Sequence, residues 1–193
     1  MMITSIRKLQ HRKISTGSRL REQLFSDIIR EMVEIFSATN RDLQEKNMKI
    51  IWIDGTFGIG KSAVAAAIVE EIPQAHLLEF DALQEKYKPT SVSDYFGKRY
   101  PEAKKYLVDA LVDEITEIIQ EGSCDCLVIP VALINDYCNQ KLIDGFANIE
   151  SHHFILTAKK EILHQRINNQ ENRDIDLAVT YMPEATQYLS NHY

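Results

Sequence analysis

The stretch IIWIDGTFGIGKSAVAAAIV, residues 50–69, decides which fold the sequence predicts. Its first part is a β-branched apolar run that is typical of a buried strand, and its last part is an alanine-rich run that is typical of a helix. Between them lies GTFGIGKS, residues 55–62, which satisfies the pattern G-x-x-x-x-G-K-S/T. Because such a loop offers backbone N–H groups to an anion at a helix N-terminus, the stretch predicts a phosphate-binding loop.

The side chains of this loop predict a site for ATP and Mg²⁺. Lys61 supplies a positive charge for the β- and γ-phosphate oxygens, and Ser62 supplies a hydroxyl ligand for Mg²⁺. The alternative is a glycine turn with an incidental lysine, which the strand before the loop and the helix after it disfavour. The predicted nucleotide-binding residues are Gly55, Thr56, Phe57, Gly58, Ile59, Gly60, Lys61, Ser62 and Ala63.

Strands and helices alternate along the rest of the chain. Apolar runs predict strands over 49–54, 76–80, 126–133 and 153–157, and helices over 61–72, 101–121 and 159–169. After the polar stretch NNQENRD, a final helix is predicted to about residue 189. Strands that are apolar on both faces and alternate with helices are typical of a parallel β-sheet with helices on both faces. The sequence therefore predicts an α/β P-loop NTPase fold for residues 49–193.

Residues 1–48 predict an N-terminal helical extension and linker. Residues 1–15 are polar and basic and predict no regular structure, whereas helical spacing of apolar residues predicts a helix over 18–37. We interpret that helix first as packing on the main domain, with a homodimer or partner contact as the alternative. This part carries nine basic and six acidic residues, and the remainder carries 13 and 22, which disfavours a nucleic-acid surface on the main body.

The composition excludes several other classes of protein. With 193 residues, 45% hydrophobic and 26% charged, the chain is typical of a soluble globular protein. No apolar run approaches the roughly 20 residues needed to cross a membrane. Three cysteines cannot form a disulfide framework, so we expect a cytoplasmic protein. Cys124, Cys126 and Cys138 are interpreted as core residues, because their spacing suits no common zinc site.

The positions of the acidic residues favour a kinase over a motor or transporter ATPase. Those ATPases carry an acid at the end of an apolar strand, and CLVIPVAL, residues 126–133, has none. The second predicted strand instead continues as LLEFDAL, with Asp81 just past its end. The carboxyl ends of parallel strands form the ligand crevice, so Asp81 is the candidate base for an acceptor hydroxyl. A helix N-cap is the alternative role.

Three segments carry a family likeness: IIWIDGTFGIGKS, LVIPVALI and HHFILTAKKEILHQRI. Over roughly residues 49–170 the sequence resembles the bacterial tunicamycin-resistance ATP-binding protein family. More distantly it is similar to chloramphenicol phosphotransferases and other small P-loop kinases. The resemblance implies a nucleoside-monophosphate-kinase-like fold. It also implies ATP-dependent modification or sequestration of a small molecule that is nucleoside-like or antibiotic-like.

The sequence departs from this family in the lid and near the C-terminus. Such kinases commonly read R-L-x-x-R in the lid, where Arg166 keeps the first arginine and Gln170 replaces the second. Glutamine cannot neutralise charge on a transferred phosphoryl group, so Arg173 is the candidate substitute. A solvated helix arginine is the alternative for Arg166. Members of the family continue into a fifth strand that the sequence does not show, so we expect either a truncated protein or an N-terminal helix that covers the exposed edge of the sheet.

The segment EKYKPTSVSDYFGKRYPEAKKY, residues 85–106, predicts the acceptor side of the site. Its aromatic residues can stack on a ring and its basic residues can bind phosphate, with Tyr95 and Arg99 as the substrate-binding candidates. A solvated surface segment is the alternative. The leading hypothesis is an ATP-dependent phosphotransferase for a small-molecule acceptor. Its alternatives are a nucleotide-dependent binding protein without efficient catalysis and a toxin-like nucleotide-sugar kinase. The candidate catalytic residues are Lys61, Asp81, Arg166 and Arg173.

Overall fold

The structure is a computed structural model that describes residues 5–10, 25–35, 48–80, 82–83, 100–133, 136–169 and 175–192. Its strands are β1 Ser5–Gln10, β2 Lys49–Gly55, β3 Ala75–Leu77, β4 Cys126–Pro130 and β5 Glu150–Thr157. Its helices are α1 (25–35), α2 Lys61–Glu71, α3 Tyr100–Glu121, α4 Asp136–Asn139, α5 Lys160–Asn168 and α6 Ile175–His192. A π-helical turn, Gln140–Asp144, continues α4.

The five described strands form one parallel sheet in the order β1-β5-β2-β4-β3. In its centre, β2 pairs Ile53 with Pro130 of β4 on one side and with Phe154 of β5 on the other. All carboxyl ends of the strands therefore lie at one edge, and the loop after β2 lies at the middle of that edge. The predicted α/β P-loop NTPase fold, with a parallel sheet, is confirmed.

Each face of the sheet packs against its own hydrophobic core, as the apolar strands predicted. In β2, Ile51 and Ile53 point into the core shared with α1, α2 and α5, whereas Ile50 and Trp52 point into the core shared with α3 and α4. All four side chains are fully buried. Because strand side chains alternate between faces, a strand covered on both sides must be apolar throughout.

The third predicted strand ends earlier than expected, at Pro130 instead of Leu133. Val131 still donates its N–H to Ile53 O at 3.0 Å, but the N–H of Leu133 is bound by the Asp54 side chain. The backbone hydrogen bonds between β4 and β2 stop here, because the Asp54 side chain takes the place of a backbone acceptor for the Leu133 N–H. Likewise β3 is shorter than predicted and ends at Leu77.

The prediction of no regular structure for residues 1–15 is wrong for Ser5–Gln10, which form β1. This strand pairs in parallel with β5, from Ser5 opposite His152 to Gln10 opposite Thr157. An edge strand presents unpaired backbone N–H and C=O groups, and β1 satisfies those of β5. The fifth position of the sheet is therefore filled by a strand that precedes the phosphate loop in the chain. The division of the chain at residue 48 stays a prediction, although both parts contribute strands to this sheet.

Helix α1 packs on the core beside α2, which confirms the first interpretation of the 18–37 segment within the described residues 25–35. Its buried side chains are Ile28, Ile29 and Met32. These residues recur at helical spacing, so one face of the helix is apolar. The homodimer or partner contact stays a prediction.

Two further predictions concern membranes and cysteines. Within the part of the chain that the structure describes, no helix combines the length and the apolar character that crossing a membrane requires. Cys126 and Cys138 are buried in the core, which confirms their interpretation as core residues, and Cys124 is half-buried. Over the same described ranges, no group of three or more His, Cys, Asp or Glu side chains is arranged to hold a metal ion.

Candidate functional site

The phosphate-binding loop has a backbone that requires its glycines. Gly55, Gly58 and Gly60 have φ angles of +147°, +72° and +102°. A Cβ atom at Gly55 would lie 2.9 Å from the Leu156 carbonyl oxygen, and one at Gly58 would lie 2.7 Å from Cγ1 of Ile167. Side chains at these positions would therefore be strained and would also collide with β5 and α5. Gly55, which the motif specifies, is therefore needed for packing as well, and so is Gly58, which the motif leaves open.

Lys61 begins α2 and lies over the loop that precedes it. Its Nζ donates hydrogen bonds to the carbonyl oxygens of Gly55 at 3.0 Å and Thr56 at 3.2 Å. The ammonium group is half-buried, and the loop backbone holds it at the N-terminus of α2. A helix N-terminus and a lysine together form a region of positive potential that favours an anion.

Glu79 brings a carboxylate to the same end of α2. It follows β3 by two residues, and its Oε2 accepts a hydrogen bond from Ser62 Oγ at 3.2 Å. The contact is exposed to solvent, so it contributes little to stability. Its importance is chemical, because a hydroxyl and a carboxylate are both oxygen ligands that suit Mg²⁺.

Arg166 contacts the loop from the other side. Its Nη1 donates to the Ile59 carbonyl oxygen at 2.9 Å and lies 3.9 Å from the position a Cβ would take at Gly60. A guanidinium carries five N–H donors in a planar arrangement that suits the oxygens of a phosphate. The structure therefore brings Arg166 next to the phosphate-binding loop, where the sequence placed a lid arginine.

Asp54, the last side chain of β2 before the loop, is fully buried. Its Oδ1 accepts the N–H of Gly55 at 2.6 Å and the N–H of Leu133 at 3.0 Å. Its Oδ2 lies 3.1 Å from Nε2 of His153 on β5, which is also fully buried. One carboxylate thus links the start of the loop, the segment after β4 and the middle of β5.

Helix α6 lies against the loop and α4. Ala185 packs against Ala132, and Phe57 of the loop packs on both. Tyr188 accepts a hydrogen bond from Asn139 Nδ2 at 2.7 Å and donates one to Asp136 Oδ1 at 2.8 Å. Burial, together with the Asp136 carboxylate, raises the pKa of Tyr188 to about 12, so its hydroxyl remains a donor at neutral pH.

A cavity of about 400 Å³ adjoins the loop beside Thr56, between the carboxyl end of β5 and α6. This volume falls in the range of small-molecule sites, which are mainly apolar with a few polar groups. The walls combine apolar and hydroxyl side chains, among them Leu156, Ala158, Leu163, Thr186, Leu189 and Ser190.

Several predicted site residues lie outside the described residues, and their assignments stay predictions. These residues are Asp81, Tyr95, Arg99, Arg173 and the lid residue Gln170. The sequence reasoning in turn missed Glu79, Asp54 and His153. A signal existed for the first two, because Glu79 precedes Asp81 in LLEFDAL and Asp54 is an acid at the end of a buried strand. His153 offered no signal, since its role depends on strand order.

No protein-family model matches the sequence, and no curated protein matches it by sequence. Solved structures resemble its fold. The shikimate kinase from Acinetobacter baumannii in complex with shikimate is 16% identical, with a TM-score of 0.53 over 75% of this chain and 76% of that one. The Pnkp1/Rnl/Hen1 RNA repair complex contains a chain that is 9% identical, with a TM-score of 0.55 over 79% of this chain and 49% of that one.

The tunicamycin resistance protein of Deinococcus radiodurans is 23% identical, with a TM-score of 0.45 over 72% of this chain and 81% of that one. At identities as low as these, a structural likeness indicates a shared fold, and function has to be argued from the residues of the site. The likeness to the shikimate kinase and to the chain of the RNA repair complex shows that this chain shares their α/β fold.

Proposed function

We propose that the protein is an ATP-dependent phosphotransferase that acts on a small-molecule acceptor. The observation that carries this proposal is the contact between Ser62 Oγ and Glu79 Oε2, beside Lys61 at the start of α2. A phosphate-binding loop that has a carboxylate at its serine is suited to MgATP, because the two oxygen groups can act together on the metal ion.

The described residues fit MgATP. Lys61 and the N–H groups of the loop would hold the phosphates, and Ser62 with Glu79 would hold Mg²⁺, directly or through water. The cavity beside Thr56 has room for the nucleoside part. When bound, MgATP supplies the transferable phosphoryl group. The protein's own contribution is positioning and neutralisation of charge, which account for most of the catalysis in this class of reaction.

The acceptor would bind on the β3 side of the loop. Asp81 lies two residues after Glu79 in the chain, so a base there would be close to the phosphate site. We assign Asp81 to orient or deprotonate the acceptor hydroxyl, and Tyr95 and Arg99 to contact the acceptor. Arg166 would approach the transferred group from the loop, and Arg173 from the lid. The resemblance to tunicamycin-resistance proteins supports nucleoside-like and antibiotic-like acceptors as the first to test.

A nucleotide-dependent binding protein is the second candidate. Gln170 stands where related kinases carry a second lid arginine, and the neutral side chain weakens stabilisation of the transferred phosphoryl group. Arg166 also donates to the loop backbone, as a brace would. Such a protein would bind MgATP and sequester a small molecule without efficient transfer.

The test combines isothermal titration with MgATP and a transfer assay with γ-labelled ATP. The acceptor panel contains nucleosides, tunicamycin, chloramphenicol and nucleotide sugars. We expect MgATP binding and transfer to at least one acceptor, and Lys61→Ala should weaken the binding and abolish transfer. Asp81→Asn should keep MgATP binding and lose transfer. Absence of MgATP binding contradicts the proposal, full transfer by Asp81→Asn contradicts the assignment of the base, and binding without any transfer favours the second candidate.

A further inference from the structure

The buried carboxylate of Asp54 has a geometry that a simple core residue does not need. Removing a carboxylate from water is costly, and replacing a whole buried ion pair by apolar side chains often leaves a protein equally stable. Asp54 is nevertheless fully buried, and its 2.6 Å bond to the Gly55 N–H is shorter than the roughly 2.9 Å of an ordinary N–H···O hydrogen bond.

The two N–H groups that share Asp54 Oδ1 belong to opposite sides of the candidate site. Gly55 is the first residue of the phosphate-binding loop, whereas Leu133 follows β4, the strand that separates β2 from β3 and Glu79. The two residues are far apart in sequence, so this carboxylate oxygen is a tertiary link between them. On the other side of β2, His153 holds the second carboxylate oxygen and so restricts rotation of the carboxylate.

We propose that Asp54 is a positioning residue for phosphoryl transfer. It holds the start of the phosphate-binding loop and the segment after β4 in a fixed relation, and His153 orients its carboxylate. The proposal rests on the proposed function above, because it assigns the loop to a nucleotide. Groups that hold reacting partners in register control the rate through geometry even when they touch neither partner.

The chain offers a matched control at the other end of the same two strands. Lys49 on β2 and Glu150 on β5 form an ion pair with Nζ to Oε1 at 2.9 Å, and their side chains are 5% and 12% exposed. They pair directly across the strands at their amino ends, away from the loop. Glu150→Ala therefore removes a largely buried carboxylate from the opposite end of the same strands without touching the site.

The test is amide hydrogen exchange on the folded, nucleotide-free protein, read by mass spectrometry on peptides that contain 50–62 and 126–133. Relative to wild type, Asp54→Ala should speed exchange in both peptides by about tenfold, since both N–H groups lose their acceptor. Asp54→Asn keeps an oxygen acceptor and should stay within about threefold of wild type. Glu150→Ala should leave the rates of amide exchange unchanged at the carboxyl ends of both peptides.

MgATP supplies the second arm of the test. In wild type, MgATP should slow exchange in both peptides, whereas in Asp54→Ala it should slow the 50–62 peptide alone and bind about tenfold more weakly. A purely structural role would give equal losses of affinity in Asp54→Ala and Glu150→Ala. Two results overturn the proposal. One is unchanged exchange in Asp54→Ala, and the other is exchange in the 126–133 peptide of Asp54→Ala that MgATP still slows.

Asp54→Ser decides the matter if Asp54→Ala does not fold. Its hydroxyl ends one bond earlier than the carboxylate, so it should release the Leu133 N–H and speed exchange in the 126–133 peptide. No change there also overturns the proposal. A wild-type protein that does not bind MgATP contradicts the proposed function, and the nucleotide-free exchange still decides whether Asp54 links the two segments.

Discussion

The two ends of strands β2 and β5 carry similar buried pairs with different surroundings. At the amino ends, Lys49 and Glu150 bond to each other across the strands. At the carboxyl ends, Asp54 bonds to two backbone N–H groups of loops and contacts His153. A buried charge alone therefore does not mark a functional site. What distinguishes Asp54 is its place at the edge where parallel strands end and ligands bind.

Of the changes at the two ends, Lys61→Ala should have the largest effect on function, because Lys61 lies beside the loop at the carboxyl end of β2. Lys61→Ala removes the positive charge over the loop, so transfer should fall by about 100-fold or more and MgATP binding should weaken. The free energy of unfolding should change little, because the ammonium is only half-buried. Arg30→Ala, which removes an exposed positive charge from α1, is the control and should keep full activity. Titration calorimetry and the transfer assay measure both variants.

Gly58→Ala should have the next largest effect. The residue has φ +72°, and the new methyl group would meet Ile167 at 2.7 Å, so the loop must shift. A distortion of about 2 kcal/mol corresponds to about 30-fold weaker MgATP binding. Gly122→Ala is the matched control, since Gly122 has φ +61° but nothing within 4 Å of its Cβ position. Gly122→Ala should lower the free energy of unfolding by about 1 kcal/mol and leave the affinity for MgATP unchanged. Equal affinities for the two variants would contradict this prediction.

Glu79→Gln should act on the metal ion more than on the nucleotide. The amide cannot supply negative charge beside Ser62, so the Mg²⁺ concentration for half-maximal transfer should rise by about tenfold. The affinity for ATP without Mg²⁺ should not fall, because a negative charge near the phosphates is removed. Transfer measured across a Mg²⁺ titration checks both statements, and an unchanged Mg²⁺ requirement would remove Glu79 from the site.

The smallest effect on function is expected at the amino ends. Glu150→Ala leaves the nearly buried Lys49 without its carboxylate, so urea unfolding should show a loss of about 3 kcal/mol. MgATP affinity and transfer, measured where the variant is folded, should equal those of wild type. A change in affinity as large as in Asp54→Ala would mean that the two ends of the strands are not independent.

Much of the architecture could be predicted from the sequence because its signals are local. Apolar runs marked β2, β4 and β5, and the glycine spacing marked the loop. β1 could not be predicted in this way, since SIRKLQ has no apolar run and pairs only because β5 has a free edge. Glu79 was passed over for Asp81 because side-chain direction at a strand end is not readable from the order of residues.

The sequence by itself determined that a parallel α/β sheet carries a loop of the G-x-x-x-x-G-K-S/T pattern between a strand and a helix, because glycine positions and apolar periodicity act over a few neighbouring residues. Only the tertiary structure decided what surrounds that loop. Leu133 and His153 reach Asp54 across 79 and 99 residues of chain, and Arg166 reaches Ile59 across 107. These contacts depend on the strand order β5-β2-β4, which no local pattern encodes. The order of the strands therefore turned a recognisable loop into a specific site.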